Sequence, residues 1–279
     1  MESWFSNKYS PNTILNTRIR KALFRVVSKY QKIEILDSYD FGRMLVLDGI
    51  VNVSEYDEFI YHEMMVHTPL FTHSNPEKIL VIGGGDGGIV RELSKHPRIK
   101  EIDLVEIDPM VVDNCKRFLP FVGVGFKEPR LKVHFQDASQ FIKNKENSYD
   151  VIIIDSPDPI GEGKRLFKKM FYENCFLALK EDGLLTAQSE TPTFKKELKI
   201  LKSIYTKMNM VFPIVKMFTA YIPSYTIGIW CFAFCSKKYD PLINFQKNRY
   251  KKLSIKNRYY NDNIHQASFA LPKFLKDMV

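Results

Sequence analysis

From Lys78 onward, short apolar runs alternate with segments of helical period, and this alternation constrains the fold more than any other feature. KILVIGG, IDLVEID, LKVHFQDA, YDVIIIDS and GLLTAQS read as buried strands. GIVRELSKH, PMVVDNCKRF, SQFIKNK, FKKMFYENCFLALK and FKKELKILKSIYTKM read as the helices that follow them. Strands joined through helices predict a doubly wound, mostly parallel sheet of α/β class, Rossmann-like. FPIVKMFTA and GIWCFAFCS have no helix between them, which predicts an antiparallel hairpin at one edge.

The preceding quarter reads differently. ALFRVVSKYQKIEILDS and RMLVLDGIVNVS are β-rich, cut by the turn signals DSYDFG and LDG. EYDEFIYHEMMVHTPLF then has helical spacing, with Pro69 expected to close it. The expected division is a small β-domain over residues 1–57 and a Rossmann-like catalytic domain over 58–279. Trp4 and Phe5 are expected to anchor the first strand.

Sheets of this kind bind ligands outside the carboxyl ends of their strands. Here four consecutive strands end in acid: Asp86, Glu106 with Asp108, Asp137, and Asp155 with Asp158. Glu106 lies about 20 residues beyond the glycine turn, where a carboxylate accepts from ribose hydroxyls. The turn itself is GGGDGG rather than GxGxxG. A pyrophosphate at this helix start would seek N–H groups and positive dipole, and Asp86 would repel it. A nucleoside carrying a sulfonium or ammonium would be attracted. Asp86 also suits a helix cap, and Asp108 suits one ahead of Pro109. QDA, Gln136 to Ala138, is placed to read an adenine edge. Asp155 and Asp158, on the bent loop DSPDPIGEG, suit binding and deprotonation of an ammonium group.

Together these segments resemble the polyamine aminopropyltransferases, the spermidine synthase family. The resemblance rests on YQKIEI, GRMLVLDGIV, DEFIYHEMMVH, VIGGGDGGIVREL, VEIDPMVV, DSPDPIG, LFKKMFY, IPSYTIG and RYYNDNIHQASFALP. DEFIYHEM followed by GGGDGG is the most discriminating pair. The resemblance implies transfer of an aminopropyl group from decarboxylated S-adenosylmethionine to an amine, commonly putrescine, with methylthioadenosine as co-product. It implies no metal and no cofactor, the donor being a co-substrate.

Carried over by resemblance, Gln31, Glu106, Asp137 and Ala138 hold the adenosine and ribose, and Glu162 lies beside the adenine. Tyr61, His62 and Asp86 surround the aminopropyl amine and the acceptor. Asp155 accepts the proton, Asp158 is its partner on the acceptor amine, and Tyr225 lines the acceptor channel. The sequence departs from the family pattern in IPSYTIGIW, which differs from the commoner IPTYPSG form, and at three single positions. Asn52 stands where glutamine is frequent, Pro157 where a small hydroxyl or thiol is usual, and Glu162 where proline is usual. Cadaverine, agmatine and spermidine therefore stand beside putrescine as acceptors, and a methyltransferase using S-adenosylmethionine is the enzymatic alternative.

The remaining features exclude other classes. The formal net charge is +9, but the basic residues are spread along the chain without a nucleic-acid-binding motif. No apolar run is long enough to span a bilayer, and the N-terminus has no secretory pattern. The four cysteines lack metal-ligand spacing, which predicts reduced core thiols in a cytoplasmic protein. His62 and His67 are not at the spacing of a helical zinc pair. His73, His96 and His134 are expected at the surface or in caps, and Tyr259, Tyr260, His265 and Phe269 in a packing cluster. A homodimer or homotetramer is expected, with small-molecule substrates and no nucleic acid or membrane partner.

Overall fold

The structure is a computed structural model that describes residues 2–156, 161–225 and 229–278. It has two sheets. The first is an antiparallel meander of five strands: β1 (Ser3–Ser10), β2 (Thr13–Val27), β3 (Lys32–Ser38), β4 (Arg43–Leu47) and β5 (Ile50–Ser54). Trp4 does not anchor it: the indole is 54% exposed, because it falls on the outward face of a hairpin strand, while Phe5 packs inward against Ile19, Leu36 and Val46.

The second sheet contains β6 (Lys78–Gly83), β7 (Glu101–Glu106), β8 (Leu131–Phe135), β9 (Tyr149–Asp155), β10 (Leu179–Glu190), β11 (Ile214–Tyr221) and β12 (Ile229–Ser236). Its order is β11-β12-β10-β9-β6-β7-β8. Five strands run parallel, and β12 is antiparallel to both its neighbours. The order reverses between β6 and β9, so their carboxyl ends flank the crevice. Alternation along each strand feeds two cores. Leu80, Ile82, Ile152 and Ile154 face one cluster, while Ile79, Val81, Val151 and Ile153 face the other. Covering both faces explains why these strands are apolar throughout.

The helices are α1 (Glu58–Thr72), α2 (Gly88–Ser94), α3 (Pro109–Phe118), α4 (Pro120–Gly123), α5 (Ala138–Phe141), α6 (Lys169–Ala178) and α7 (Lys195–Asn209), with three short ones nearer the C-terminus. Helix α1 is almost wholly buried and does not stop at Pro69. A proline inside a helix deprives the carbonyl four residues earlier of its donor. Here that carbonyl, Met65, accepts instead from the Thr186 hydroxyl of β10 at 3.1 Å. The Arg249 guanidinium then donates to the carbonyls of Leu70 and His73 and satisfies the helix end.

Polar side chains on a buried helix need partners. Glu63 accepts from the backbone N–H groups of Arg258, Tyr259 and Tyr260, each at 2.8 Å. That ties the C-terminal segment to the main domain, where Tyr260, His265 and Phe269 pack together as expected. His73 is the C-cap of α1, as one of the two expected placements had it, and is buried; His96 is buried rather than at the surface or in a cap. His96 gives its ring to His67 at 2.9 Å, and His67 in turn meets Glu92 at 3.0 Å. All four cysteines are buried and free.

Candidate active site

One cavity of about 610 Å³ opens at the carboxyl ends of the parallel strands. Gln31, Tyr61, His62, Asp86, Glu106, Asp137, Ala138, Asp155 and Tyr225 all line it. Asp158 and the side chain of Glu162 lie outside the described residues.

The glycine turn brings the acids close. Gly83 has φ +79°, and a Cβ there would stand 2.0 Å from the carbonyl oxygen of Asp155. Only glycine lets β6 and β9 approach so tightly, with Gly84 N–H donating to that same carbonyl at 3.0 Å. Asp86 Oδ1 accepts from Gly88 N–H at 2.6 Å while lining the cavity; the N-cap of α2 is Gly87, in the left-handed region at φ +93°, so the cap falls one residue later than Asp86. Its Oδ1 also stands 3.3 Å from His62 Nε2. Burial alone would raise the Asp86 pKa; the His62 charge and the Gly88 N–H outweigh it and lower it.

Asp155 ends β9 and accepts from the Tyr61 hydroxyl at 2.5 Å. Burial and the neighbouring Asp86 charge push its pKa up, while His62 and Tyr61 pull the other way. Such a carboxylate is poised to take a proton. Tyr61, Tyr225 and Trp230 form an aromatic wall, with ring centroids 6.2 and 4.9 Å apart in succession. Tyr225 Oη donates to the Asn52 carbonyl at 2.6 Å, joining this wall to β5.

On the other side of the crevice, Glu106 ends β7. Its Oε1 accepts from Asp108 N–H at 2.8 Å. Burial first, and then the Asp108 charge, push its pKa up to about 7. Asp108 caps α3 through Met110 N–H at 3.0 Å, as its place before Pro109 predicts. The same carboxylate accepts from Ser28 Oγ at 2.6 Å and from Gln31 Nε2 at 3.1 Å. Gln31 is thus held over the cavity by the second domain. Asp137 caps α5 through Ser139 N–H at 2.7 Å and pairs with Arg165 at 3.1 Å.

Three contributions lie beyond the residues singled out from sequence. Asn7, Lys8 and Tyr9 of β1 reach the cavity, a long-range contact with no local signal. Gln188 and Glu190 line it from the end of β10, where the strand-end rule, carried one strand further, would have found them. Among the described residues, the buried Gln188 Oε1 and the Trp230 Nε1 have no hydrogen-bond partner. Glu58, four residues before His62, meets His62 Nδ1 at 2.6 Å, a pair legible from helical spacing.

His62, Asp86 and Asp155 each bring one ligand-capable atom within 4.8 Å of the others. Both nitrogens of His62 already face carboxylates, and its pKa is raised to about 10 by Asp86 and Glu58 against burial. An imidazolium has no lone pair to give a metal.

Comparison with known proteins agrees with this geometry. Residues 58–247 match the spermine/spermidine synthase domain, and residues 3–55 match the spermidine synthase tetramerisation domain. The chain is 45% identical to a polyamine aminopropyltransferase of Clostridium botulinum (strain Alaska E43 / Type E3), covering 100% of this chain and 98% of that one. It is 44% identical to one of Clostridioides difficile, covering 100% and 99%. A crystal structure of spermidine synthase in complex with the transition state analogue AdoDATO superposes with a TM-score of 0.96 at 37% identity, covering 99% of this chain and 94% of that one. That of spermidine synthase from Thermotoga maritima gives 0.94 at 37% identity with the same coverage. On these matches, which span both sheets and the cavity between them, the chain belongs to the spermine/spermidine synthase family.

Proposed function

We propose that this chain transfers the aminopropyl group of decarboxylated S-adenosylmethionine to putrescine, giving spermidine and methylthioadenosine. The observation that carries this reading is the pair of carboxylates, buried Asp86 and half-buried Asp155, beside the glycine turn of a nucleoside-type cavity. A phosphate or a second carboxylate entering there would meet like charge, whereas a sulfonium with a free ammonium is favoured.

In this reading Glu106 accepts from the ribose hydroxyls, Gln31, Asp137 and Ala138 take the adenosine end, and Asp86 takes the donor's ammonium. The acceptor lies along Tyr61, Tyr225 and Trp230. Its attacking nitrogen arrives as an alkylammonium with a pKa of about 10.4. Asp155, aligned by the Tyr61 hydroxyl, takes one proton. The freed lone pair attacks the carbon attached to sulfur, the C–N bond forms as the C–S bond breaks, and the bond pair neutralises the sulfonium. No charge is created that needs a metal, and holding two cations in line supplies much of the rate. Ordinary S-adenosylmethionine, with its extra carboxylate near Asp86, is disfavoured.

Self-assembly is part of the proposal. The match of residues 3–55 to a tetramerisation domain, and the exposed Trp4, Ile14 and Val27 on β1 and β2, support a homodimer or homotetramer built on the first sheet. The buried thiols fit a cytoplasmic enzyme. The test is a product assay with both sulfonium donors and a panel of putrescine, cadaverine, agmatine and spermidine. Methylthioadenosine from the decarboxylated donor, with the highest kcat/KM on putrescine, is the expected result. Turnover of S-adenosylmethionine alone would replace this reading with methyl transfer.

A further inference from the structure

A buried row of alternating charges runs from the cavity into the protein between α1 and α2. At the cavity end, Asp86 faces His62 Nε2 at 3.3 Å. On the far side of the ring, Nδ1 faces Glu58 Oε2 at 2.6 Å. Behind Glu58, Arg91 of α2 grips both carboxylate oxygens at 2.7 and 2.9 Å, and it also donates to the Phe121 carbonyl and to Glu92. Glu58 and His62 are 6% and 2% exposed. The ring has no room to turn: a Cβ on Gly88 would lie 2.3 Å from its Cε1. Glu58 is not part of the lining of the large cavity.

We propose that Glu58 is a positioning residue for aminopropyl transfer: anchored by Arg91, it holds the His62 ring as a fixed cation against Asp86. This rests on the roles given above to Asp86 and Asp155. With an ionised carboxylate at each ring nitrogen, both nitrogens must carry a proton for both contacts to be attractive N–H···O ones. The groups facing His62 are Glu58 from its own helix, Asp86 from the glycine turn and Asp155 from β9, with Arg91 behind Glu58 and the Tyr61 hydroxyl turned toward Asp155. Three carboxylates this close, Glu58 and Asp86 buried and Asp155 half-buried, would oppose one another's ionisation. The imidazolium between them removes that opposition. Asp86 then stays charged for a cationic substrate, and Asp155 stays charged to accept a proton. The direction of the shifts agrees, with Glu58 lowered, His62 raised and the His62 charge drawing Asp155 down.

Glu58→Gln tests this, because glutamine keeps the shape and still accepts from Nδ1–H but removes the charge. Near neutral pH kcat/KM is expected to fall about 10- to 100-fold, the loss typical of a charged buried hydrogen bond. The acid limb of its pH profile is expected to rise by about one unit as Asp155 loses a neighbouring cation. In a His62→Gln background the same change is expected to cost less than about twofold, since Glu58 acts through a ring no longer there. The imidazole ¹⁵N spectrum of the full chain, with His62 assigned by its loss in His62→Gln, gives a readout without turnover. Two protonated ring nitrogens are expected at neutral pH in the parent, and a His62 that loses its second proton at lower pH in Glu58→Gln. If Glu58→Gln does not fold, Arg91→Lys replaces the two-pronged grip by a point charge and is expected to move limb and spectrum in the same direction. Equal losses in both backgrounds, or a lower Tm with limb and His62 spectrum unmoved, would overturn the proposal. Wild-type turnover of the decarboxylated donor is the control: its absence indicts the parent reading, while a neutral His62 in the parent protein indicts this one alone.

Discussion

Replacing Glu106 by glutamine should make the ligand-free protein more stable and a worse binder of the donor. The carboxyl is buried at the end of β7, and its folded pKa is about 7 against an ordinary 4.5. A raised folded pKa means that its contribution to stability is fully present below about pH 4.5 and is lost as pH rises through about 7. The difference of about 2.5 units, at 1.36 kcal/mol each, corresponds to roughly 3 kcal/mol by pH 8. Glutamine does not titrate, and its carbonyl oxygen still accepts from Asp108 N–H. Thermal unfolding of the ligand-free pair should therefore give similar Tm values at about pH 5 and diverge by pH 8, Glu106→Gln being higher by roughly 6 °C or more at 2–4 °C per kcal/mol. Methylthioadenosine should narrow the gap. At about a hundredfold excess over Kd it stabilises the wild type by about 2.7 kcal/mol, and it should do much less for a variant lacking the ribose carboxylate. A Tm difference that stays constant between the two pH values would refute the reasoning, because strain or packing has no such dependence.

Three further outcomes follow from the same cavity. Asp155→Asn should lower the single-turnover rate by about 10²- to 10⁴-fold with donor binding retained; an intact rate would remove it as the proton acceptor. Tyr61→Phe deletes the hydrogen bond that draws Asp155 down, so the acid limb of kcat/KM should move to higher pH by about one unit, with about a tenfold loss near neutrality; a profile merely scaled down would contradict this. Gly88→Ala drives a methyl into the His62 ring, and should cost about 1–3 kcal/mol by denaturant unfolding or displace the ring with loss of activity; a neutral substitution would show that the ring is not confined.

Much of the parallel sheet was legible because its strands are buried on both faces and its helices are amphipathic, so period alone separates them. The edge hairpin of β11 and β12 followed from the missing helix between two apolar runs. Strand-end acids were legible because the carboxyl ends of a doubly wound sheet point to one crevice. The end of α1 was misread. Pro69 is a local signal, and what overrides it is the Thr186 hydroxyl, which lies 117 positions further along the chain. His96 was misplaced for a related reason: a histidine is polar by composition, and only a tertiary partner such as His67, itself held by Glu92, makes it a core residue. The reach of β1 to the cavity depends on how one sheet folds over another, and no window of sequence contains that.

The stray carbonyl of Met65 has one more implication. An ordinary buried helix is free to slide or roll slightly on a bed of aliphatic side chains, since such contacts are indifferent to direction. An oxygen that finds its donor only on β10 is directional, and acts as a keyway that fixes the azimuth of α1 over the sheet. Tyr61 sits one turn earlier on that helix, so its hydroxyl inherits the alignment when it reaches Asp155. A residue that should interrupt the helix instead supplies the reference mark from which the reactive groups are set.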